Sequence, residues 1–206
     1  RMLKIIIITD LDGTLLDPAT YSFKPALPAL SLIQARNIPL ILCSSKTRAE
    51  MEGIRRQLDN SHPFVTENGG GIFIPNGYFP VTPDAVESGG YRLITLGMPY
   101  AEIRKRFVRL REQLGIKVRG FADMTTGEVA ALTRLPYDEA LLAMQRDFDE
   151  PFVFEGAPDG RFLRAIEASG LSWTEGRIFH IMGRHDKGRA VSLLKSLFEK
   201  KSGAVA

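Results

Sequence analysis

LKIIIITDLDGT, residues 3–14, is the stretch that decides the fold. Its first part, residues 3–9, is an almost unbroken apolar and β-branched run, which is typical of a strand covered on both faces of a parallel sheet. Two acids, Asp10 and Asp12, follow directly, and Gly13 permits a sharp turn away from the strand. Ligand sites of open parallel sheets lie at the carboxyl ends of the strands. The stretch therefore predicts an α/β fold with a candidate site at its two acids.

The next residues continue the alternation of strand and helix. A helix is predicted over residues 25–36, and an apolar strand is predicted over residues 38–43. Thr47 and Glu50 have the spacing of a capping box, which predicts that a second helix begins there and runs to about residue 58. The order β-α-β-α predicts a Rossmann-like core with a parallel sheet.

The middle of the chain has a different pattern. Apolar residues 72–74 and 78–79 flank Pro-Asn-Gly, the residues of a tight turn, which predicts an antiparallel hairpin. Mixed strands and helices then predict an inserted α+β cap domain over residues 85–174, between a first core segment, 1–84, and a return segment, 175–206. The predicted elements of the insertion are strands at 91–96, 117–121 and 152–154, and helices at 99–114, around Glu128, around Ala140 and at 161–168.

The return segment contains a predicted core strand over residues 177–182 and a helix over residues 187–200. After that helix, Lys-Ser-Gly-Ala-Val-Ala has the pattern of a turn followed by the start of another strand. A βαβ unit without its return strand leaves part of its helix uncovered, so we expect the C-terminal part of the core to be missing from this chain. The predicted apolar face of the helix consists of Ala190, Val191, Leu194 and Leu197.

Composition limits the classes of function. The 206 residues are 44% hydrophobic and 25% charged, with a net charge of +3, as in ordinary globular proteins. Basic residues are interspersed with acids, so no nucleic-acid partner is predicted, and nothing in the sequence indicates an oligomeric state. The apolar run at the start is too short for a signal core or a membrane span, so no membrane partner is predicted. The single cysteine, Cys43, in an apolar run is typical of a reduced, cytoplasmic protein.

Asp10 and Asp12 have the chemistry that phosphoryl transfer needs. A carboxylate with an ordinary pKa of about 4 is ionised at neutral pH and attacks phosphorus without a base, which makes Asp10 the candidate nucleophile. Asp12 is the candidate acid and base, which protonates the leaving alkoxide and later deprotonates water. Two neighbouring carboxylates need a cation, and Mg²⁺ prefers such oxygen ligands together with water and phosphate. The alternative is structural, with Asp-Gly-Thr as a turn and Asp10 as a helix cap.

Two further polar residues are expected at the same edge of the sheet. Ser44 follows the second predicted strand, where its hydroxyl would bind a phosphoryl oxygen. Lys187 begins the last predicted helix, a position where a cation is otherwise mildly unfavourable, and would neutralise charge that develops on the phosphoryl group. Donors aimed at developing charge typically lower a barrier by about 3 kcal/mol each. This set favours phosphoryl transfer over a glycosidase, whose two acids would not lie so close together in one turn.

The motifs together resemble those of a known superfamily. Asp-Leu-Asp-Gly-Thr at residues 10–14, then Ser44, then Lys187 resemble motifs one to three of haloacid dehalogenase (HAD)-type phosphatases. The predicted insertion resembles the α/β cap of the sugar-phosphate phosphatases among them. Four stretches resemble mannosyl-3-phosphoglycerate phosphatases more specifically: SSKTRAE at 44–50, ENGGGIF at 67–73, RDFDEPF at 146–152 and GRHDKG at 183–188.

The resemblance implies a magnesium-dependent phosphatase that converts mannosyl-3-phosphoglycerate into mannosylglycerate, a compatible solute, and phosphate. It implies that Asp10 is nucleophile and metal ligand, and that Asp12 is acid, base and, through its main chain, metal ligand. It also implies that Ser44 and Lys187 bind the phosphoryl group. The fourth motif of the family, Gly-Asp followed by Asn-Asp, has no counterpart in this sequence. A phosphatase of another sugar phosphate and a non-catalytic phosphate-binding fragment therefore stay open as alternatives.

Substrate contacts are predicted near the active edge. Lys46 stands close to it, where it would meet charges of a small phosphorylated sugar. Asn68, Gly69 and Gly70 lie in a glycine-rich turn whose backbone amides would approach an anion. The alternative for these glycines is that the entry into a hairpin requires them equally.

Arg146 is the candidate for a bidentate contact with the glycerate carboxylate of the substrate. Its alternative is an arginine on a helix beside Asp149, either solvated or paired with Asp149 three residues further on. His180 lies in an apolar strand and is predicted to be a core residue with its hydrogen bonds satisfied.

Overall fold

The computed structural model describes residues 5–17, 20–82 and 84–201, which contain two β-sheets. The strands are β1 (Ile7–Thr9), β2 (Leu40–Cys43), β3 (Phe64–Thr66), β4 (Gly71–Pro75), β5 (Val86–Ser88), β6 (Tyr91–Thr95), β7 (Val118–Gly120), β8 (Asp149–Phe154), β9 (Ser172–Glu175) and β10 (Phe179–Met182). The first sheet has the order β1-β2-β3-β4-β6-β5, and the second has the order β7-β8-β10-β9.

Helices connect these strands at nearly all the predicted positions. The α-helices of the described ranges are α1 (Leu27–Ala35), α2 (Arg48–Gln57), α3 (Tyr100–Leu114), α4 (Thr126–Thr133), α5 (Tyr137–Ala143), α6 (Gly160–Ala168) and α7 (Lys187–Lys201), and short 3-10 helices lie at Lys24–Ala26, Glu67–Gly69 and Phe121–Asp123. The predicted capping box is confirmed, because the Thr47 hydroxyl accepts from the Glu50 amide while the Glu50 carboxylate accepts from the Thr47 amide. None of the helices in the described part of the chain is long and apolar enough to cross a membrane.

The first sheet is parallel at one end and antiparallel at the other. β1 pairs with β2, and β2 with β3, in parallel, whereas β4, β5 and β6 pair with their neighbours in antiparallel fashion. All four residues of β2 are buried, as the unbroken apolar run predicts. The α/β fold is therefore confirmed, and the parallel pairing brings the residues after β1 and β2 to one edge.

The predicted apolar face of α7 packs on the first sheet. Ala190, Leu194 and Leu197 are buried in one cluster with Ile41 and Ile72, and Val191 is half-buried. Burial of an aliphatic side chain contributes roughly 1.5–3 kcal/mol. The first residue of α7, Lys187, is consequently held near the strand ends.

The second sheet is antiparallel throughout and carries a separate apolar cluster. α3 and α6 pack on it through aromatic and aliphatic side chains such as Phe107 and Phe162, which lie against Phe152 of β8. Sheet and helices together form a two-layer α+β unit.

The predicted strand over residues 177–182 was assigned to the wrong sheet. β10 pairs with β8 and β9 in the second sheet, whereas the prediction returned it to the core. β5 and β6, which begin the predicted insertion, pair instead within the first sheet. An apolar strand does not specify its partners, which explains both errors. The strand β9 is not in the prediction at all. The domain division at residues 85 and 174 remains a prediction, and these pairings favour moving both boundaries later in the chain.

The predicted hairpin is also wrong in its partner strand. β4 lies between β3 and β6, while Tyr78 and Phe79 form no strand and instead pack edge-on against Phe198 of α7. Pro-Asn-Gly still forms a turn, with Gly77 at φ 76°. The first residues of the first predicted strand and the strand-like residues after Lys201 lie outside the described residues.

Candidate active site

Asp10 is fixed at the carboxyl end of β1 by two hydrogen bonds. Its Oδ1 accepts from the Leu11 amide at 2.7 Å, and its Oδ2 accepts from Nζ of Lys187 at 2.7 Å. The two side chains remain partly exposed, at 43% for Asp10 and 34% for Lys187. The structure thus brings together the candidate nucleophile and the candidate cation from positions far apart in the sequence.

Asp12 lies beside Lys46 in the same site. Nζ of Lys46 is 3.3 Å from Oδ1 of Asp12 and 3.6 Å from Oε1 of Glu50. Burial disfavours the charge of this lysine, but Glu50 and Asp12 outweigh burial and raise the pKa of Lys46 above its ordinary value. Lys46, predicted to bind substrate, therefore lies where it also neutralises Asp12.

Ser44 follows β2 and is fully buried under the site. Its hydroxyl accepts from the Lys46 amide at 3.3 Å, and its carbonyl accepts from the Asn68 amide at 3.0 Å. These bonds shape the loop that carries Lys46. A contact between the Ser44 hydroxyl and a phosphoryl group stays a prediction.

Cys43, the residue before Ser44, is a buried thiol near the candidate nucleophile. Burial raises the pKa of Cys43 to about 11, with Lys187 opposing that shift and Asp10 adding to it. A thiol is therefore present at neutral pH, which makes Cys43 a poor nucleophile.

Glu67 ties the two sheets together through backbone amides. Its fully buried carboxylate accepts hydrogen bonds from the amides of Asp147, Phe148 and Asp149, at distances from 2.7 to 3.2 Å. Burial raises the pKa of Glu67 to about 8, against Arg146 and these donors, which favour its ionised form. We call this carboxylate and the three amides the Glu67 clamp.

Arg146 is committed to partners inside the protein. Its guanidinium donates to the Asp149 carboxylate and, at 2.9 Å, to the Ser45 carbonyl, and it lies 3.6 Å from the Glu67 carboxylate. The structure therefore has the alternative's ion pair with Asp149, but Arg146 is buried and lies after the end of α5, so the solvated position on a helix is wrong. Its contacts do not favour the predicted bidentate bond to a glycerate carboxylate, because the donors already point to protein acceptors.

Asp149 is the centre of a buried polar group that the sequence analysis missed. It is fully buried, and its Oδ2 contacts His180 Nδ1 at 2.9 Å and accepts from Asn68 Nδ2 at 3.3 Å. Burial disfavours its charge, but Arg146 and His180 outweigh burial and hold the pKa of Asp149 below its usual range. His180 thus has the satisfied hydrogen bond that was predicted, but with 11% of its side chain exposed it lines the cavity and does not lie wholly in the core.

Gly69 and Gly70 are required for close packing between segments. A Cβ on Gly69, which has φ 98°, would lie 2.3 Å from the carbonyl oxygen of Asp186, and a Cβ on Gly70 would lie 2.4 Å from Cβ of Phe148. The Gly70 amide already donates to the Thr66 and Glu67 carbonyls. The structure therefore favours the alternative that a hairpin requires these glycines, because β3 and β4 pair in antiparallel fashion across this turn and the amide of Gly70 is already bonded.

A cavity of ≈ 490 Å³ opens at this edge, with walls from both parts of the fold. Its size is in the range of small-molecule sites. Asp10, Asp12, Lys46 and Asn68 line one side, and Thr174, Arg177 and His180 line the other. Arg177 donates to the Thr133 carbonyl at 3.2 Å and to the Tyr21 hydroxyl, so it connects the two walls.

The donor set of this cavity fits a magnesium ion. Asp10 and Asp12 present oxygen ligands, partly exposed, and Mg²⁺ typically binds through one or two carboxylates while water and substrate phosphate complete its shell. Within the described ranges, no group of three or more His, Cys, Asp or Glu side chains is placed to hold a metal. Asp10 and Asp12 are thus the described residues that would hold the ion.

Comparisons with known proteins agree with this geometry. The family model of the haloacid dehalogenase-like hydrolases matches residues 7–79. A glucosyl-3-phosphoglycerate/mannosyl-3-phosphoglycerate phosphatase of Persephonella marina is 43% identical over 204 residues, or 98% of this chain and 75% of the relative. A mannosyl-3-phosphoglycerate phosphatase of Pyrococcus horikoshii is 35% identical over 95% of this chain and 78% of its own length.

Solved structures share the fold at low sequence identity. A Thermoplasma acidophilum protein has a TM-score of 0.67 at 16% identity, covering 95% of this chain and 72% of its own. A sugar phosphatase of HAD subclass IIB has a TM-score of 0.60 at 13% identity, covering 94% of this chain and 75% of its own. These likenesses concern the fold alone.

An aspartate pair at the end of a parallel strand, with a lysine from a later helix, on this fold defines a haloacid dehalogenase-like hydrolase. The relatives at 43% and 35% identity narrow that class. This chain belongs to the glucosyl-3-phosphoglycerate/mannosyl-3-phosphoglycerate phosphatase family.

Proposed function

We propose that this chain hydrolyses mannosyl-3-phosphoglycerate, and its glucosyl counterpart, to the glycosylglycerate and phosphate. The observation that carries the proposal is the position of Asp10. Its Oδ2 accepts from Nζ of Lys187 at 2.7 Å, and its side chain lines a cavity together with Asp12 and Lys46. The names of the relatives support these two substrates.

The reaction proceeds in two steps through an aspartyl-phosphate. A carboxylate oxygen of Asp10 attacks phosphorus, and the bond between phosphorus and the bridging ester oxygen breaks. This oxygen leaves with the glycerate as an alkoxide, and the protonated Asp12 gives its proton to it. Asp12, now a carboxylate, takes a proton from water as the water oxygen attacks the phosphoryl group. The acyl phosphate bond breaks, and phosphate leaves with Asp10 and Asp12 restored.

Lys187 supplies positive charge where the phosphoryl oxygens gain negative charge. Preorganised donors of this kind contribute about 3 kcal/mol of barrier lowering each. A bound Mg²⁺ ion, held by Asp10 and Asp12, would supply further charge neutralisation at the phosphate. Lys46, with Nζ 3.3 Å from Oδ1 of Asp12, holds the Asp12 carboxylate in place.

The first prediction concerns Asp10. The Asp10→Asn variant lacks the nucleophile, so we expect phosphate release from mannosyl-3-phosphoglycerate to fall to the background rate. The measurement is phosphate release from a panel of sugar phosphates, with Mg²⁺ or with EDTA. We expect preference for the two glycosyl-3-phosphoglycerates and no release with EDTA.

Asp59→Asn is the matched control for this variant. Asp59 is exposed and has φ 48°, a conformation that Asn also adopts, so its substitution should leave the rate unchanged. Full activity of Asp10→Asn would overturn the mechanism. Absence of phosphate release from every ester by the wild-type chain would favour a phosphate-binding role instead.

We also propose that the chain acts in the cytoplasm, where the single, buried Cys43 would stay reduced. The partner of the chain in this proposal is its substrate, a small phosphorylated sugar derivative. Fractionation of cells, followed by an assay of the soluble and membrane portions, tests this location.

A further inference from the structure

Asp149 orients two side chains that line the cavity. His180 Nδ1 and Asn68 Nδ2 both meet the same oxygen of Asp149, Oδ2, at 2.9 and 3.3 Å. The strand pairing explains this meeting, because His180 lies opposite Pro151, which puts His180 and Asp149 on one face of the sheet. A fully buried carboxylate that the proposed reaction does not use thus controls two residues of the cavity wall.

The charge state of Asp149 determines which nitrogen of His180 carries the hydrogen. Its ion pair with Arg146 keeps it ionised, and an ionised carboxylate only accepts hydrogen bonds. The hydrogen between the two residues therefore sits on Nδ1 of His180. Nε2 of His180 is then available to a ligand, because it has no hydrogen-bond partner among the residues that the structure describes.

Asn68 is oriented in the same way. Its Nδ2 donates to Asp149, which leaves Oδ1 as an acceptor without a partner in the described part of the chain. Its backbone, at φ 59°, is fixed by the bond from its amide to the Ser44 carbonyl. Apolar side chains, Leu135 and Ile178, line the same cavity.

These features match a sugar ring, which has hydroxyl donors on its edge and C–H groups on its faces. A neutral imidazole Nε2 and an amide Oδ1 both accept from hydroxyls, whereas a carboxylate or phosphate has no hydrogen to give them. Lys46 and Lys187, by contrast, lie with the two aspartates. The two lysines are thus engaged by Asp10 and Asp12, whereas the two acceptors are positioned by Asp149.

We propose that His180 and Asn68, both held by Asp149, form the subsite that binds hydroxyl groups of the hexosyl part of the substrate. This inference depends on the proposed function, because the phosphate must lie at Asp10 for the sugar to reach this wall. His180 and Asn68 are then specificity residues, and Asp149 is a positioning residue.

Binding of two ligands tests the subsite. Mannosyl-3-phosphoglycerate and 3-phosphoglycerate differ only in the hexosyl group, and calorimetry in an Asp10→Asn background measures both without turnover. His180→Asn keeps an amide donor near Nδ1 but removes Nε2. We expect its Kd for mannosyl-3-phosphoglycerate to rise roughly five- to tenfold, with the Kd for 3-phosphoglycerate unchanged.

Two further variants make the result specific. His180→Gln reaches the position of Nε2 with an amide, so we expect it to regain part of the lost affinity. Asn68→Gly keeps the left-handed backbone and removes the amide, so it should lower affinity for the glycosylated ligand alone. His62→Asn is the control, because His62 bonds Tyr78 and does not line the cavity.

Equal weakening of both ligands, or no weakening of either, in His180→Asn and Asn68→Gly would overturn the subsite. So would an Asp10→Asn parent that binds 3-phosphoglycerate as tightly as the glycosylated ligand. The proposed function fails separately, if the wild-type chain releases no phosphate from mannosyl-3-phosphoglycerate. Thermal melting of each variant identifies a loss of fold.

Discussion

At the scale of single residues, the site depends on charges that meet from distant parts of the chain. Lys187 contacts Asp10 across 176 intervening positions of sequence, and the contact is a hydrogen bond of 2.7 Å. Sequence reasoning found both residues because each follows or begins a regular element. It did not find that Lys46 would lie beside Asp12, since only the folded loop after β2 turns its side chain there.

The second prediction therefore concerns Lys187. Lys187→Met keeps the length of the side chain and removes its charge, so we expect kcat for phosphate release to fall about 10²- to 10³-fold. Lys195→Met, on the exposed side of the same helix, should leave kcat unchanged. A kcat within threefold of wild type for Lys187→Met would contradict the role of this cation.

At the scale of elements, the position of α7 depends on the absence of a side chain at Gly69. The Gly69 backbone abuts the carbonyl of Asp186 and the amide of Lys187, immediately at the start of the helix. A side chain here would push the helix start, and with it the ammonium, away from β1.

A pair of glycines tests this contact. Gly69→Ala and Gly77→Ala both introduce a Cβ at positive φ, but only the first meets other atoms, because nothing lies within 4 Å of the second. We expect Gly69→Ala to lower the free energy of unfolding by about 1–3 kcal/mol more than Gly77→Ala does. Urea denaturation measures both, and phosphate release should fall for Gly69→Ala alone. Equal effects of the two substitutions would show that the close approach is unimportant.

The elements themselves were largely predictable, and their pairing was not. Thr47 and Glu50 mark the start of α2 by local chemistry that the structure reproduces, and the buried run of β2 follows from its residue types. The sheet to which β10 belongs is decided by its neighbours β8 and β9, which its own residues do not encode. The Asp149–His180 contact depends on that pairing, so local sequence patterns could not predict it.

At the scale of the whole molecule, a few polar contacts join the two sheets. Besides the Glu67 clamp, Arg146 donates to the Ser45 carbonyl, and the Thr47 hydroxyl donates to the Leu142 carbonyl at 2.9 Å. The charged members of this set are buried, and removal of one partner from such a group typically costs about 3–5 kcal/mol. The cavity between the sheets therefore depends on these hydrogen bonds.

Asp149 makes the stability of the folded protein depend on pH. Its folded pKa lies below the unfolded value of about 3.9, so its contribution to stability is present above that pH and is lost as the pH falls through the folded pKa. At pH 7 we expect Asp149→Asn to be less stable than wild type by about 3–5 kcal/mol. The difference should shrink as the pH is lowered from about 4 toward 2.

Urea denaturation of both proteins across this range measures that prediction. Asp59→Asn again is the control, because exposed Asp59 has no such partners in the described structure and should keep a constant difference from wild type. A constant difference for Asp149→Asn as well would mean that this carboxylate does not titrate with folding.

The Glu67 clamp also has a consequence for how the family can change its substrates. It holds its partner segment through the amides of residues 147–149, which every amino acid except proline supplies. Wall residues such as Thr174 and Ile178 take no part in it. Substitutions there can reshape the space offered to a sugar while the clamp holds the wall in place, so selection for a new substrate can proceed at those positions without first loosening the fold.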